Sequence, residues 1–259
     1  MSISTFFAPR SYRGGVLSAS VLKLLACILM TVDHVGVILF PRVRILRIIG
    51  RLAFPLFAFF IAEGCHYTKN KLRRFLMIFG IGIAYLVFYY FYEHKVQGSI
   101  FLTFSISILM IYVLDFCKAF MLREYRWYKP LLVLLLLSAG TALSYRFFAL
   151  IHSDYGFYGM LVPVLVSLFD FKALEVPKAI RWLDSHPVRL LCLAVGLILV
   201  WKSPNTASIQ IYSLLSLIPL ALYNGKLGFR TWKYGFYLFY PLHLAVLEGI
   251  AMLISYLEV

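Results

Sequence analysis

The sequence predicts an all-α membrane protein: a polytopic transmembrane helix bundle of about nine spans, within a range of eight to ten, with a cytoplasmic N-terminus. Of its 259 residues, 62% are hydrophobic and only 14% are charged, a balance far from that of soluble domains. Apolar runs of about 15 to 22 residues recur along the chain, as in helices that cross a bilayer. The strands of a membrane barrel would instead alternate in polarity over about ten residues.

The nine predicted spans are joined by short connections, and we expect them at residues 18–40, 50–66, 75–93, 99–117, 130–151, 156–170, 188–201, 209–223 and 233–256. The sixth and seventh are short, and either could be a tilted or re-entrant piece. With the N-terminus inside, seventeen of the 25 lysines and arginines fall in inner connections and seven in outer ones. Lysine and arginine favour the cytoplasmic side, so the charges support an inner N-terminus and an outer C-terminus.

The net charge of +14 is spread over the connections rather than along one amphipathic face, so we expect membrane lipids as partners and no nucleic acid. One outer connection, 41–51, works against the charge rule with Arg42, Arg44, Arg47 and Arg51. This cluster predicts that an anionic group binds there.

Residues 171–187 are amphipathic and predict a cytoplasmic interfacial segment. The whole chain, 1–259, is expected to form a single integral membrane domain.

Ionisable residues at membrane depth are functional candidates because their burial in lipid is costly. His34 lies about 16 residues into the first span, roughly 24 Å from its start, and so approaches the outer edge of the hydrocarbon. Asp33 is its neighbour but points about 100° away around the helix. Arg51 opens the second span on the same outer side, and Asp154 lies in the outer turn before the sixth.

Lys23 precedes His34 by eleven residues, which returns to within about 20° of the same helix face. One face of the first span would thus carry a cation near the cytoplasm and an imidazole near the outside, an arrangement that suits a ligand spanning most of the membrane. The alternative is that Lys23 snorkels inward and His34 only packs.

A second polar group is expected near the inner face. Glu63 and His66 share a helix face, but a second Glu-x-x-His is absent from the sequence, so capping or ion pairing is expected and a metal site is not. Asn224 follows the eighth span. Tyr240 and His243 flank Pro241, which predicts a kinked helix beside an imidazole; the alternative role for His243 is an interhelical hydrogen bond.

Five ordered stretches resemble the TraX family, whose namesake is implicated in N-terminal acetylation of pilin: "LKLLACILMTVDHVG", "IGRLAFPLFAFFIAEGCHYTKN", "SDYGFYGML", "YNGKLG" and "FYLFYPLHL". TraX proteins are similar to wider membrane acyltransferases, including the acyltransferase-3 proteins. Those have a basic residue and a histidine in the first helix with ten residues between them, a spacing that Lys23 and His34 reproduce. The resemblance implies transfer of an acyl group from cytoplasmic acyl-coenzyme A to an extracytoplasmic acceptor.

This implied chemistry assigns roles to the polar residues. The catalytic set is His34 as general base, Asp33 or Asp154 as the group that orients His34 or the acceptor, and Arg51. Arg51 either stabilises the charge that develops on the carbonyl oxygen or holds an anionic acceptor. A transient acyl-imidazole on His34 is the alternative route. The acyl-coenzyme A donor, acetyl-coenzyme A or another, is expected to bind at Lys23, Lys69, Arg73, Asn224, Lys226, Tyr240 and His243. Asp154, Tyr155 and Glu63 are expected to bind the acceptor.

The acceptor stays open among a surface glycan, an exported peptide and a lipid. The resemblance implies a multi-pass protein of the bacterial cytoplasmic membrane, and related membrane acetyltransferases suggest a homodimer. The competing interpretation is a small-solute or lipid transporter or flippase, because broken helices and buried charges serve transport equally well. The third interpretation is a membrane scaffold protein without catalytic activity.

Overall fold

The computed structural model describes residues 12, 14–123, 126–171, 174–204, 206–229 and 235–257, without the side chains of 92, 93 and 237. It is all-helical, as predicted. The helices are α1 (Ala19–Ile38), α2 (Arg44–Gly50), α3 (Ala53–Tyr67), α4 (Lys71–Glu93), α5 (Ile100–Arg123), α6 (Lys129–Leu150), α7 (Gly156–Val166), α8 (Lys178–Arg181), α9 (His186–Trp201), α10 (Leu217–Ala221) and α11 (Gly235–Leu257). Two 3-10 helices, Trp182–Asp184 and Ser208–Ser216, and two short strands, β1 (Gln97–Gly98) and β2 (His152–Ser153), complete the elements of these ranges.

Six helical segments of the described chain are long and apolar enough to cross a membrane: Ala19–Ile38, Arg44–Tyr67, Lys71–Phe91, Ile100–Arg123, Lys129–Leu150 and Leu238–Leu257. They match six of the nine predicted spans. The predicted spans at 156–170 and 209–223 fall on the shorter helices Gly156–Val166 and Ser208–Ala221. The span predicted at 188–201 falls on the second arm of a pair, Lys178–Asp184 and His186–Trp201, bent by 59°. Nine crossings are therefore not confirmed, whereas an integral membrane protein is consistent with these helices.

The fold divides into two compact units. We call Ile61–Val200 the middle unit, and Tyr12–Phe60 together with Trp201–Val259 the terminal unit. The predicted interfacial segment 171–187 lies in the middle unit and consists of α8, the 3-10 turn Trp182–Asp184 and the start of α9. Positions 172 and 173 of that segment lie outside the described residues.

In the middle unit, α7 runs parallel to α5 and is held to it by hydrogen bonds at three levels. Near the start of α5, the Thr103 hydroxyl donates to the Asp154 carbonyl at 2.8 Å. In its middle, the Ser107 hydroxyl donates to the Met160 carbonyl at 3.0 Å. Toward its end, the Lys118 ammonium donates to carbonyls of the turn after α7, among them that of Asp170 at 2.7 Å. The segment from 154 to 170 therefore follows most of the length of α5.

In the terminal unit, α1 is the central helix and its neighbours fix two directions. The ammonium of Lys23 lies 6.0 Å from the ring centroid of Phe236, and His34 contacts His243, so α1 and α11 run parallel. The segment from 208 to 224 runs the other way. Its start bonds Arg51, which is held beside the second half of α1, and its end pairs with Leu17, just before α1.

The close approach of α2 to α1 depends on Gly50. A Cβ atom at this position would overlap the side chain and the backbone of Asp33. Because glycine has none, the two helices approach closely enough for the following residue, Arg51, to reach the Asp33 carboxylate.

We expect Gly50→Ala to destabilise the protein by about 1–3 kcal/mol, because the added methyl group must displace α1 or α2. The matched control is Gly80→Ala on α4, where a Cβ would meet open space. Gly80→Ala should leave stability unchanged or raise it by up to about 1 kcal/mol, since alanine is the better helix former. Thermal unfolding of the purified protein in one detergent compares the two; equal melting temperatures would contradict the proposed packing constraint.

Candidate functional site

A carboxylate with two guanidinium groups lies at the C-terminal half of α1 in the terminal unit. The Arg51 Nη2 donates to both Asp33 oxygens at 2.7 Å, and the Arg47 Nη1 donates to Asp33 Oδ2 at 2.8 Å. The side chains of Asp33 and Arg51 are 15% and 12% exposed, so this ion cluster is largely shielded from the surroundings. Buried charges persist where they are paired in this way.

This cluster accounts for half of the arginines that the charge rule did not explain. Arg47 and Arg51 bind an anionic group, as predicted, but the group is the protein's own Asp33. Arg42 and Arg44 are exposed. The three charges of the cluster sum to +1, so the site keeps a positive character although its carboxylate is neutralised.

His34 and His243 form a pair of hydrogen-bonded imidazoles between α1 and α11. His34 Nδ1 lies 2.9 Å from His243 Nε2 and 3.0 Å from the Met30 carbonyl oxygen. His243 Nδ1 lies 2.8 Å from the Phe239 carbonyl oxygen, and its ring stacks on that of Phe239. Tyr240 packs edge-on against His34 with the ring centroids 6.3 Å apart.

The carbonyl partners determine which nitrogen carries hydrogen on each neutral ring. A carbonyl only accepts, so His243 Nδ1–H donates to Phe239 and leaves His243 Nε2 as an acceptor. His34 Nδ1–H then donates, shared between His243 Nε2 and Met30. His34 Nε2 is left with its lone pair, and across the described ranges no side chain or backbone group hydrogen-bonds to it. This is the protonation pattern that a general base requires.

His243 thus occupies the position beside His34 that the sequence interpretation gave to Asp33 or Asp154. Asp33 instead accepts hydrogen bonds from Arg47 and Arg51, in agreement with its 100° divergence from His34 on the helix. His243, expected at the donor site, makes the interhelical hydrogen bond that was the alternative for it.

Lys23 lies on the face of α1 that packs against α11, as the helical phase predicts. Its ammonium is 5.3 Å from the ring centroid of Phe60 and 6.0 Å from that of Phe236. Phe236 and His243 are seven residues apart and share a face of α11. The pairs Lys23–Phe236 and His34–His243 are therefore two levels of one helix contact.

Asn224 and Lys226 form a turn at the other end of α1. The Asn224 side-chain oxygen accepts from the backbone N–H of Lys226 at 2.9 Å, and its own backbone N–H donates to the Leu17 carbonyl. Gly225 supplies the left-handed conformation in between, with φ +72°. The Asn224 side chain thus shapes this turn, while the Lys226 side chain is exposed. Arg230, a neighbouring basic residue, lies outside the described residues.

The remaining predicted site residues belong to the middle unit. Glu63 forms an ion pair of 2.7 Å with Arg189, which is 2% exposed, and His66 Nδ1 lies 2.8 Å from Asp170 Oδ1. The structure therefore confirms that Glu63 and His66 are paired, each with a different residue: Glu63 with Arg189 and His66 with Asp170. Lys69 and Arg73 are exposed beside Asn70, whose side chain caps α4 by accepting from the Arg73 N–H at 2.9 Å.

Asp154 and Tyr155 shape the turn that precedes α7. The Asp154 N–H donates to Gly98 at 3.3 Å, and Tyr155 takes the left-handed conformation with φ +61°. This conformation is uncommon for a bulky residue and is held here by the β1–β2 pairing next to it. Both residues thus have a structural role at this turn.

Sequence reasoning missed several buried polar residues, namely Asp115, Lys118, Asp170, Arg189, Gln210, Ser213 and Ser216. Arg189 was counted with the basic residues of the inner connection although it lies at the second position of the predicted span 188–201, and in the structure it lies within α9. A signal did exist for Asp115 and Asp170, which are acidic residues at the ends of apolar runs. In the described part of the chain, no group of three or more His, Cys, Asp or Glu residues could hold a metal ion.

Comparison with known proteins gives a consistent set of relatives. The sequence profile of the family described as TraX protein matches residues 18–251. The probable fimbrial assembly protein FimC, serogroup H1, of Dichelobacter nodosus is 28% identical over 92% of this chain and 97% of its own length. An uncharacterized protein of Rickettsia prowazekii (strain Madrid E) is 27% identical over 82% of this chain and 95% of its own length. No solved structure matches.

We expect Asp33→Asn to destabilise the protein by about 3 kcal/mol, because it leaves two neighbouring guanidinium groups without their shared carboxylate. The control is Glu248→Gln, which removes an exposed carboxylate from α11 in the same unit and should change stability by less than about 0.5 kcal/mol. Thermal unfolding in detergent measures both. Equal stability of the two variants would mean that the cluster contributes little.

Proposed function

The chain belongs to the TraX family, and from this premise together with the site geometry we propose that it is a membrane-embedded acyltransferase. It takes an acyl group, in the simplest case acetyl, from acyl-coenzyme A on the cytoplasmic side and transfers it to an acceptor on the other side. The observation that carries the proposal is the His34–His243 pair at 2.9 Å, which leaves the Nε2 lone pair of His34 available, one residue after Asp33 of the positive Asp33–Arg47–Arg51 cluster.

In the proposed reaction, His34 Nε2 takes the proton of the acceptor hydroxyl or amine. The acceptor oxygen or nitrogen forms a bond to the thioester carbonyl carbon, and the carbon–sulfur bond breaks. The coenzyme A thiolate leaves with the bonding electrons and receives the proton from the His34 imidazolium. His243 keeps Nδ1–H of His34 engaged throughout, so that Nε2 is the nitrogen presented to the acceptor.

The guanidinium of Arg51 is the group proposed to stabilise the oxyanion. It is oriented by two bonds to Asp33, and preorganised donors of this kind lower a barrier because they need no rearrangement during the reaction. Asp33 is then a positioning residue for Arg51 rather than for His34. The net charge of +1 on the cluster also favours a reaction in which negative charge develops nearby.

Three observations support an identity for the donor and the acceptor. The spacing of Lys23 and His34 matches that of the basic residue and histidine in acyltransferase-3 proteins, which supports acyl-coenzyme A as donor. The exposed Lys69, Arg73 and Lys226 offer cations for its phosphates. One relative is named a probable fimbrial assembly protein, which favours an exported peptide as acceptor over a glycan or a lipid.

We expect His34→Asn to lower acyl transfer by at least about 100-fold, because the general base is removed. Membranes that contain the variant are supplied with labelled acetyl-coenzyme A and with peptides exported by the cells that naturally contain this protein. Two quantities are measured: the release of free coenzyme A thiol and the transfer of the labelled acetyl group to a peptide. The matched control is His94→Asn, at an exposed left-handed position after α4 that asparagine tolerates. Full activity of His34→Asn would overturn the assignment of the base.

His243→Asn separates catalysis from folding. We expect it to lower kcat about tenfold with little change in the KM for the donor, because His34 keeps its Met30 bond but loses its fixed orientation.

If acyl transfer is absent from the wild-type protein while a solute or lipid crosses the membrane, the transporter interpretation is correct instead.

We further infer nine crossings with an inner N-terminus and an outer C-terminus. The parallel direction of α1 and α11 supports an odd number of crossings. The segment Ser208–Ala221 runs antiparallel to α1 and, with the longer rise of its 3-10 part, extends roughly 25 Å. The segment from 154 to 170 follows α5 from Thr103 to Lys118, roughly 22 Å.

Cysteine labelling distinguishes the topologies, in a variant whose four native cysteines are replaced by alanine. With nine crossings, an impermeant maleimide added outside should label Lys95→Cys and Tyr256→Cys but neither Lys178→Cys nor Leu227→Cys until the membrane is opened. With seven crossings, in which α7 and α9 do not cross, Lys178→Cys would react from outside. An even number would make Tyr256→Cys unreactive from outside.

A further inference from the structure

The 3-10 helix Ser208–Ser216 has its polar side turned inward and its apolar side turned outward. Gln210, Ser213 and Ser216 are each 0% exposed, whereas Tyr212 and Leu215 between them are 43% and 48% exposed. A 3-10 helix has three residues per turn, so positions 210, 213 and 216 lie in one row. We call this row the polar row.

The polar row has unused hydrogen-bonding capacity. The Gln210 side-chain oxygen accepts from Arg51 Nη1 at 3.4 Å, so the amide nitrogen Nε2 points its two N–H groups elsewhere. That nitrogen and the hydroxyls of Ser213 and Ser216 have no hydrogen-bond partner in the described parts of the chain. Fully buried polar atoms are nearly always satisfied, so three consecutive ones in a single row indicate a polar molecule that binds there.

The position of the row indicates what this molecule spans. Its first member, Gln210, bonds Arg51 of the ion cluster, and the chain then runs past Ser213 and Ser216 toward the Asn224–Lys226 turn near the start of α1. Successive members are about 6 Å apart along the helix axis. A ligand that uses the whole row is therefore extended and carries neutral hydrogen-bonding groups at intervals, with one end at Arg51.

We propose that the polar row binds the pantetheine arm of the acyl-coenzyme A donor. This deepens the proposed function and rests on it. The arm is an extended chain with three neutral hydrogen-bonding groups, two amides and one hydroxyl, and the row offers it three neutral side chains, one amide and two hydroxyls. The thioester end lies at Arg51, and the nucleotide end lies toward the Asn224–Lys226 turn, where the exposed Lys226 is available to its phosphates.

The test is calorimetric binding of coenzyme A to the full chain purified in detergent, beside binding of its nucleotide part, 3′-phosphoadenosine 5′-diphosphate. We expect the double variant Ser213→Ala/Ser216→Ala to weaken coenzyme A binding by roughly tenfold or more, through the loss of two hydrogen bonds, and to bind the nucleotide as the wild type does. Its melting temperature should stay equal or rise, because two unsatisfied hydroxyls are removed from the ligand-free protein.

The matched control is Ser208→Ala on the exposed side of the same helix, which should change neither affinity. The proposal is overturned if the double variant binds coenzyme A as tightly as the wild type, or if wild-type protein binds coenzyme A no better than the nucleotide alone. Tighter binding of a short acceptor peptide that depends on Ser213 and Ser216 would also overturn it. If wild-type protein binds neither coenzyme A nor the nucleotide, the acyl-coenzyme A function itself fails, which is a distinguishable result.

Discussion

The Asp33 carboxylate is the group on which the architecture of the terminal unit depends. It lies within an apolar helix, where an unpaired charge would be costly, and it is neutralised by two arginines from the segment that follows. That pairing requires α2 to fold back tightly onto α1, which the missing side chain of Gly50 permits. Arg51, fixed by Asp33, reaches Gln210 and so connects α1 to the 3-10 helix. One ion cluster thus joins α1 and the adjacent α2 to a 3-10 helix whose Gln210 lies 159 residues after Arg51.

Helical phase predicted a good part of this unit from the sequence. The expectation that Lys23 and His34 share a face, with Asp33 turned away, agrees with the packing of the first two against α11 and of the third against α2. The partner of His34 was not predictable in the same way. His243 lies 209 residues further along, and periodicity describes which face a residue occupies but not which helix lies opposite that face.

The 3-10 helix and the buried pairs of the middle unit show where local patterns are insufficient. Residues 209–223 resemble a short α-helical span, and only the 3-10 geometry brings Gln210, Ser213 and Ser216 into one row. From the sequence, Arg189 resembled a basic residue that marks a cytoplasmic connection, yet its side chain is 2% exposed and forms an ion pair with Glu63. For the first, the type of helix decides which polar residues share a face; for Arg189, the start of α9 at His186 decides that it lies inside a helix and not in a connection. Such boundaries depend on tertiary contacts that a single sequence does not contain.

The packing of His34 against His243 between α1 and α11 has a consequence for the timing of the proposed reaction. A proton taken up on the His34 ring places a positive charge beside a second imidazole, in surroundings that screen charge poorly. An imidazolium that waited there for a later step would be a high-energy species. The cost falls when a thiolate develops at the same moment, because its negative charge offsets the new positive one. In the proposed reaction, deprotonation of the acceptor is therefore expected to coincide with rupture of the carbon–sulfur bond, and water that enters without a donor is expected to gain little from the base.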